Sequence, residues 1–426
     1  MVWVKLVSTS LITLIMIYMI YYSLVSIKAY RGNFNIAPHH KARTKFLVLI
    51  PAVNEEAVIN IPVDDLKNQK YPKKLFDVYV IADHCTDKTA MIAKKHGAKV
   101  ITTEMGLNVK RHGVGKSNTL DYGLHYLGLN EWNKYKYVVV IDSDNNVASN
   151  FLQRLNDYAV EFSEPEAIQV HLDSKQGHGF INKGLNLSFI RSNYFQQLPE
   201  GDLGCASLLG TGFATSTKKV INQVGGFRFH TLTEDAYEEM YIISHGGNVK
   251  FIPDTYVVNE NYSKIKQASK GMTRWSRGIA QCCLYFFNYA ITHCLVKPSF
   301  KNFHILCRIS TLSKMTQLII IWGFWIWHYI FGSAFSYLRF DWLIYPMWIQ
   351  HFMLLLSIVM TLNIVVFENF YLLYPIYGCK RTIYLIANCK NKLNTYHNIW
   401  QILTIYAGKC GQVRCQSTLL ESCSLR

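Results

Sequence analysis

The sequence is short of acidic residues. Its 426 residues include 28 Asp and Glu against 44 Lys and Arg, which leaves a formal net charge of +16. Half of the residues are hydrophobic and only 17% are charged. A basic, apolar chain of this kind is expected to bind either a membrane with anionic lipid or a polyanion such as nucleic acid.

Charged residues are absent from three long segments, 6–27, 315–338 and 343–367. Each is long enough to cross a bilayer as a helix. The first is too long for the apolar part of a signal peptide and lacks a small-residue cleavage site, so we interpret it as a membrane span. The spans favour membrane lipids as partners, and nucleic acid is excluded because it would explain the charge but not the spans.

Basic residues flank the three segments and predict their orientation, because such residues concentrate in cytoplasmic loops. They follow the first segment, precede the second and follow the third: Lys28, Arg31, Lys41, Arg43, Lys45, Lys297, Lys301, Arg308, Lys314, Lys380, Arg381, Lys390 and Lys392. Placing them all in the cytoplasm puts the N-terminus outside and residues 28–314 inside. The sequence therefore predicts a multi-pass protein of the cell membrane with a cytoplasmic body.

Two kinds of site lack the residues that they need. Cys410, Cys415 and Cys423 are too irregularly spaced for a zinc site and have no nearby histidine pair, so we expect free thiols. The stretch GVGKSN resembles part of a phosphate-binding P-loop, but such a loop needs a glycine five residues before Gly115, where Lys110 stands. A P-loop nucleoside triphosphatase is therefore excluded.

Residues 45–141 alternate apolar strand patterns with helical ones, which predicts βαβ units and a parallel sheet. Ligands bind such sheets at the carboxyl ends of the strands. That edge carries a group of polar residues: Asn54, Glu55, Glu56, Asp83, His84, Asp87, Asp142 and Asp144. Each could also cap a helix or form a turn. Further along, residues 208–227 are predicted to form glycine-rich turns around an amphipathic helix.

Asp142 and Asp144 directly follow a buried strand and point the same way, because alternate residues of an extended chain share a face. Two carboxylates this close stay ionised together only if a positive group lies between them. Oxygen ligands of this kind suit Mg²⁺ or Mn²⁺, which keep positions open for substrate phosphates. Lys116, at the start of a predicted helix, is expected to bind a phosphate or an acidic residue of the same edge.

Two later segments carry further candidate residues. Thr233 is a predicted N-cap that places Glu234 and Asp235 in a first helical turn, where the helix dipole favours ionised carboxylates. Arg274 and Trp275 precede an amphipathic apolar helix. They are typical of an interfacial helix, and could also clamp a diphosphate and stack on a sugar ring.

The motifs PAVNEE, ADHCTD, GKSNTL, DSD, GTGFA, TED and RWSRG occur here in the order found in family-two glycosyltransferases. The chain most resembles the membrane-embedded branch with cellulose, hyaluronan and poly-N-acetylglucosamine synthases, from residue 45 to about residue 285. The resemblance implies an α/β GT-A nucleotide-sugar-binding domain, with a Rossmann-like mostly parallel sheet flanked by transmembrane helices. It also implies a hexosyltransferase that uses a UDP-sugar and Mg²⁺ or Mn²⁺.

The resemblance also implies roles for individual residues. Asp142 and Asp144 match the metal-binding D-x-D pair, with Asp144 preferred as the direct ligand. Asp235 matches the catalytic base of an inverting displacement. The nucleotide-sugar site would comprise Asn54, Glu55, Asp83, Lys116, Asp142 and Arg274, with Asp83 at the nucleoside and Arg274 at the leaving diphosphate. The acceptor site would comprise Glu234, Trp275 and Gly212.

One position departs from the family pattern Q-x-x-R-W, because Gly271 stands where the glutamine is expected. Gln267 lies one helical turn earlier and about 5 Å away, which makes it a poor substitute. In the resembling synthases this glutamine belongs to the acceptor site, so its loss bears on processivity. Three spans are also few for one export channel, which predicts a homodimer or an export partner.

Two functions remain open, and both are transferases. The first hypothesis is extension of a growing polysaccharide at the inner face of the membrane. The alternative is single addition to a lipid or lipid-linked acceptor. A membrane-anchored scaffold with a decayed site is disfavoured by the intact motif residues.

The predicted divisions of the chain are an N-terminal span (1–28), a basic juxtamembrane segment (29–44), the cytoplasmic GT-A domain (45–265), the RW motif with interfacial helices (266–311), a transmembrane hairpin (312–378) and a cytoplasmic tail (379–426).

Overall fold

The computed structural model describes residues 2–103, 115–175, 186, 188–229, 231–260, 265–308, 317–326 and 347–367. The predicted tail and the loop of the predicted transmembrane hairpin lie outside these residues. Everything below concerns the described part of the chain.

Eight strands form one sheet: β1 (Phe46–Ala52), β2 (Phe76–Ala82), β3 (Lys99–Thr102), β4 (Tyr137–Val140), β5 (Asn146–Val147), β6 (Ala167–Ser174), β7 (Phe213–Ser216) and β8 (Val249–Asn259). Their order is β3-β2-β1-β4-β7-β6-β8-β5. Strands β3, β2, β1 and β4 are parallel, as predicted. Strand β7 is antiparallel to both neighbours, β8 is parallel to β6, and β5 is antiparallel to β8.

The prediction for residues 208–227 was wrong in part. Phe213–Ser216 is strand β7, and the helical portion is confined to the short turns Thr217–Ile221 and Asn222–Val224. All four residues of β7 are buried between β4 and β6. Pairing on both sides, which involves residues far away in sequence, decides the conformation of this segment.

The longer helices, numbered in chain order, are α1 (Val2–Arg31), α2 (Asn60–Lys67), α3 (Thr89–Lys95), α4 (Lys116–Leu127), α5 (Leu129–Trp132), α6 (Phe151–Glu161), α7 (Leu198–Asp202), α8 (Glu234–Ser244), α9 (Ile265–Val296), α10 (Phe300–Arg308), α11 (Gln317–Ile326) and α12 (Met347–Thr361). Other short helical turns are Lys73–Leu75, Asn193–Gln197 and Leu362–Phe367. The stretch NEEAVINIPVDDLKNQ predicts a helix that starts at Asn54, whereas α2 begins at Asn60.

Apolar side chains cover both faces of the sheet. Leu47 and Leu49 of β1 pack into one core, whereas Phe46, Val48 and Ile50 pack into the other. Burial on both faces explains why β1 is an uninterrupted apolar run, as is usual for strands in the middle of parallel sheets. A third apolar cluster is formed by α1, α11 and α12.

Two described segments are long and apolar enough to cross a membrane, judged by length and composition only: Thr9–Arg31 and Ser269–Val296. The first contains most of the first predicted span. The second belongs to α9, whose sequence predicts an interfacial helix. The prediction that Arg274 and Trp275 precede this helix is wrong, because α9 begins at Ile265 and includes both. The described parts of the other predicted spans are the shorter apolar helices Gln317–Ile326 and Ile349–Ile364.

Candidate active site

The carboxyl ends of β1, β2 and β4 bring the predicted polar residues to one edge of the sheet. The three strands are in parallel register, with Ala52 beside Ala82 and Leu49 beside Val140. The chain therefore leaves each strand at a similar height. We call this edge, with the loops that follow β1, β2 and β4, the donor edge.

The loops after β1 and β2 are fastened to each other at the donor edge. Asn54 has a positive φ of 55°, and its Oδ1 accepts a hydrogen bond of 2.8 Å from the backbone N–H of Thr86. The backbone N–H of Glu55 donates to Oγ1 of Thr89 at 2.8 Å. These bonds hold the segment in a loop and explain the late start of α2. Burial, followed by the charge of Asp144, raises the pKa of Glu55.

Asp83, the predicted nucleoside contact, is buried at the end of β2. Its Oδ2 accepts a hydrogen bond of 2.7 Å from the hydroxyl of Thr119 on α4, and its Oδ1 lies 2.7 Å from Nδ1 of His84. The carboxylate is thus held between a strand and the helix that begins at Lys116. Its contact with a nucleoside stays a prediction.

Lys116 supplies the positive charge that the D-x-D pair requires. Its ammonium donates hydrogen bonds to Oδ1 of Asp142 and to the carbonyl oxygen of Gly210. Burial lowers the pKa of Lys116, but the carboxylates of Asp142, Glu234 and Asp235 outweigh it and the net shift is upward. The side chain therefore stays charged. Its hydrogen bond to Asp142 is the contact with an acidic residue of this edge that the sequence predicts.

The loop after β4 is held by a second set of hydrogen bonds. The backbone N–H of Asp142 donates to Oγ1 of Thr211 at 3.0 Å, and the Thr211 hydroxyl donates to Oδ1 of Asn145. The side-chain amide of Asn145 donates to Oδ1 of Asp144 at 2.9 Å. These bonds fix the two carboxylates on neighbouring loop positions.

The donor set at Asp142 and Asp144 fits a hard cation, because it consists of oxygen atoms only. Burial, and then the charge of Asp142, raises the pKa of Asp144, so a bound cation would favour its ionised form. In the described ranges no group of three or more His, Cys, Asp or Glu side chains could hold a metal on its own. An ion at this pair would need further ligands, such as phosphate oxygens and water.

The predicted base, Asp235, lies close to the loop that contacts Lys116. Helix α8 begins at Glu234, so both acidic residues stand in its first turn, as predicted. A Cβ atom added to Gly210 would lie 3.5 Å from Oδ2 of Asp235, and the carbonyl of Gly210 accepts the Lys116 hydrogen bond. Burial, followed by the charge of Glu234, raises the pKa of Asp235 to about 7.

Gly212, predicted at the acceptor site, lies at the start of β7. Its φ is +66°, and a Cβ there would lie 3.0 Å from Cγ2 of Val170 and 3.1 Å from Cγ2 of Val257. Backbone conformation and close packing on neighbouring strands therefore account for this glycine. An acceptor contact of Gly212 stays a prediction.

Helix α9 packs against the residues that precede Asp235. The Arg274 guanidinium donates through Nη1 to the carbonyl of Leu232 at 3.2 Å. The hydroxyl of Thr233, the N-cap of α8, lies 3.8 Å from Sγ of Cys282. A Cβ added to Gly278 would lie only 2.5 Å from Oγ1 of Thr233. The N-terminus of α8 and the basic-aromatic part of α9 therefore form one unit, which we call the base side.

Trp275 and Gly271 lie on the same helix as Arg274. Trp275 is 38% exposed, so part of its ring is accessible for the predicted stacking on a sugar. Gly271, which replaces the expected glutamine, is buried. The acceptor contact of Trp275 stays a prediction.

Three supporting residues were not predicted individually. Thr119 lies inside GKSNTL, one helical turn after the backbone of Gly115, whose carbonyl oxygen accepts its hydroxyl at 3.1 Å. Thr211 lies inside GTGFA, and Gly278 ends RWSRG. Their position within these motifs was the only sign in the sequence that they matter. Their partners could not be predicted, because each contacts a residue far away in sequence.

The described residues thus combine a mostly parallel sheet, acidic side chains at the carboxyl ends of β2 and β4, and Asp235 beside the loop that contacts Lys116. The family model described as "Glycosyltransferase like family 2" matches residues 42–278, more than half of the chain. The chain belongs to this family.

Two curated bacterial proteins are similar in sequence to this chain. The chain is 26% identical to the probable glycosyltransferase YdaM of Bacillus subtilis over 58% of each chain. It is also 26% identical to the β-monoglucosyldiacylglycerol synthase of Synechocystis, over 58% of this chain and 50% of that enzyme. The chain thus spans between 50% and 58% of the length of these relatives.

The solved structure of the mannosyltransferase PcManGT from Pyrobaculum calidifontis, in complex with GDP-mannose and Mn²⁺, has a similar fold. The TM-score is 0.52 at 14% identity, over 84% of this chain and 99% of that one. At this identity the likeness concerns the fold alone.

Proposed function

We propose that the protein is an inverting, metal-dependent hexosyltransferase that moves a hexose or N-acetylhexosamine from a UDP-sugar to an acceptor at the inner face of the cell membrane. The observation that carries the proposal is the position of Lys116. Its ammonium bonds both Asp142 of the D-x-D pair and the carbonyl of Gly210, the residue that faces Asp235. The donor-edge carboxylate Asp142 and the proposed base Asp235 therefore both lie near the contact between Lys116 and Gly210.

The chemistry follows from the charges of these groups. A Mg²⁺ or Mn²⁺ ion bound by Asp142 and Asp144 supplies positive charge for a diphosphate leaving group. Lys116 and Arg274 add positive charge on the protein's side. Asp235, as a carboxylate, accepts the proton of the acceptor hydroxyl while that oxygen attacks the anomeric carbon opposite the departing UDP. A single displacement of this kind inverts the anomeric configuration.

The first candidate acceptor is a lipid or lipid-linked hydroxyl that receives one sugar. Helix α9 supports this choice, because one exposed face carries first basic and then apolar side chains at spacings of three, four or seven residues: Lys270, Arg274, Arg277, Leu284, Ile291 and Leu295. Such a face suits a bilayer with anionic lipid. The Synechocystis relative, named for a glucosyl lipid, and the loss of the glutamine at Gly271 support the same choice.

A growing polysaccharide is the second candidate acceptor. It is supported by the apolar cluster of α1, α11 and α12, which is the kind of helix packing that a span bundle requires. In this version the chain is multi-pass, residues 28–314 are cytoplasmic, and a homodimer or an export partner completes a channel.

The product distinguishes the two acceptors. Membranes that contain the protein are incubated with Mn²⁺ or Mg²⁺ and radiolabelled UDP-sugars, and the products are divided into lipid-extractable and high-molecular-weight fractions. Lipid-extractable label carrying one sugar, absent with Asp235→Asn, supports the first candidate. High-molecular-weight label supports the second. If no UDP-sugar gives label above the Asp235→Asn control, the proposed function is wrong.

A further inference from the structure

A buried ion pair lies one helical turn beyond the proposed base. Glu239 follows Asp235 by four residues on α8, so the two side chains share one face of the helix. Glu239 is completely buried and accepts two hydrogen bonds from Arg308 of α10, at 2.9 Å from Nε and 3.1 Å from Nη2. Burial raises the pKa of Glu239, but the Arg308 charge outweighs it and the net pKa is lowered. The pair is therefore ionised.

The same carboxylate also holds the loop opposite Asp235. Its Oε2 accepts a hydrogen bond of 3.3 Å from the backbone N–H of Leu208. This loop continues to Gly210, which faces Asp235 and bonds Lys116. One side chain thus joins α10, the base helix and the loop that contacts the donor edge.

A further set of contacts leads from this pair to the N-terminal helix. His304 precedes Arg308 by one turn and is fully buried, with Nε2 at 4.0 Å from Oε1 of Glu239. Its Nδ1 lies 2.6 Å from the hydroxyl of Tyr21 on α1, and that hydroxyl donates to Oε1 of Glu200 at 3.2 Å. The separation of His304 and Glu239 is longer than a hydrogen bond, so α1 is connected to α8 through α10: Tyr21 contacts His304, and Arg308 of the same helix bonds Glu239.

The Tyr21 contact is not needed to hold α1 against the rest of the protein, because other contacts of α1 do so. Lys28, two turns after Tyr21, forms an ion pair with Asp202 at the end of α7. Apolar side chains of α1 also fill the third core cluster. Stability is an equally poor explanation of the Glu239–Arg308 pair, because well-packed apolar residues often replace a buried ion pair without loss of stability.

We propose that Glu239, Arg308, His304 and Tyr21 are positioning residues for the proposed base. In this proposal the N-terminal helix α1, through Tyr21, helps to hold Asp235 in place. The inference rests on the proposed function of Asp235. It predicts that small changes at the α1–α10 contact alter the chemical step and leave donor binding intact, because the donor-edge carboxylates are bonded by α4, Thr211 and Asn145 and, in the described part of the chain, not by α1 or α10.

The test compares two Tyr→Phe variants of the full-length protein in membranes. Tyr21→Phe removes only the hydroxyl that contacts His304 and Glu200. Tyr18→Phe is the matched control: Tyr18 is a buried tyrosine on the same helix, and its hydroxyl forms no hydrogen bond among the described residues. We expect Tyr21→Phe to lower kcat about three- to tenfold, the effect of one hydrogen bond, with KM for the UDP-sugar unchanged. Tyr18→Phe should match the wild type.

Glu239→Gln extends the test closer to the base. It keeps the shape of the side chain and removes the charge that pairs with Arg308, and we expect a larger fall in kcat than with Tyr21→Phe, again at constant KM for the donor. The inference is overturned if Tyr21→Phe has wild-type kinetics, or if its KM for the donor rises while kcat is unchanged, even though Asp235→Asn is inactive.

A second measurement applies if no variant, including the wild type, transfers sugar and the proposed function itself fails. Amide hydrogen exchange of residues 234–244 is then compared in the two variants. Faster exchange in Tyr21→Phe than in Tyr18→Phe supports the positioning of α8 by α1. Equal exchange contradicts it.

Discussion

The two sides of the candidate cleft are built in different ways. At the donor edge, Asp83 and Asp142 follow strands and Lys116 begins α4. Hydrogen bonds from α4 and from the loop before β7 hold the two carboxylates. At the base side, Asp235 stands on a helix whose supports, Gly278 and Arg308, come from α9 and α10. Under the proposed function, donor binding depends on the sheet domain, whereas the position of the base depends on α10 and on α9, which contains a candidate membrane segment.

The largest expected effect is at Asp235. Asp235→Asn removes the proposed base but keeps the size of the side chain, and general-base catalysis contributes about 10²- to 10⁴-fold. We expect kcat to fall within that range and KM for the UDP-sugar to stay close to the wild-type value. Initial rates at saturating donor measure this change. A variant with wild-type kcat would remove Asp235 from the mechanism.

The matching change at the donor edge is Asp144→Asn. It deletes one of two carboxylates expected to hold the metal, and we expect the Mn²⁺ concentration that gives half-maximal activity to rise by at least about tenfold. Removal of metal with EDTA should abolish activity in the wild type, and added Mn²⁺ should restore it. Equal metal dependence in the variant and the wild type would show that Asp144 is not a ligand.

The pH dependence of kcat tests whether the proposed base has a pKa above that of an ordinary carboxyl group. Burial and Glu234 raise the pKa of Asp235 to about 7, and the base acts only when it is deprotonated. We therefore expect kcat to fall as the pH drops through about 7, by about tenfold per pH unit on the acidic side. An acidic limb near the usual carboxyl value of about 4 would contradict this environment for Asp235.

The smallest expected effect concerns the contact between α9 and α8. Gly278→Ala would place a methyl group 2.5 Å from Oγ1 of Thr233, so the helices must separate slightly. Overpacking of this kind costs about 1–3 kcal/mol, and we expect a three- to tenfold loss of kcat. Gly323→Ala is the control, because it is also helical and a Cβ there has nothing within 4 Å. Thermal unfolding and kinetics of both variants check the prediction; equal effects would contradict it.

The donor edge could be predicted from the sequence more completely than the base side. Strands β1 to β4 and the donor edge are readable because buried parallel strands are continuous apolar runs that end in polar residues. The start of α8 is readable from Thr233. Strand β7 was missed because Phe213–Ser216 is short and its conformation depends on pairing with β4 and β6.

The supports of the base lie beyond the reach of a single sequence. Glu239 and Arg308 are separated by 69 residues, and Tyr21 and His304 by 283 residues. Spacing within one helix reveals that Asp235 and Glu239 share a face, but not which side chain of another helix meets them. The late start of α2 has a similar cause, because hydrogen bonds to the loop after β2 hold Asn54 and Glu55 out of the helix.

The most direct test of the separation between the two sides is binding of Mn²⁺–UDP to Asp235→Asn and Asp144→Asn, measured by titration calorimetry on the full-length protein. Asp235→Asn should bind Mn²⁺–UDP like the wild type although it does not transfer sugar, whereas Asp144→Asn should bind at least about tenfold more weakly. Equal weakening of binding in both variants would contradict the account, because the base would then be part of the donor site.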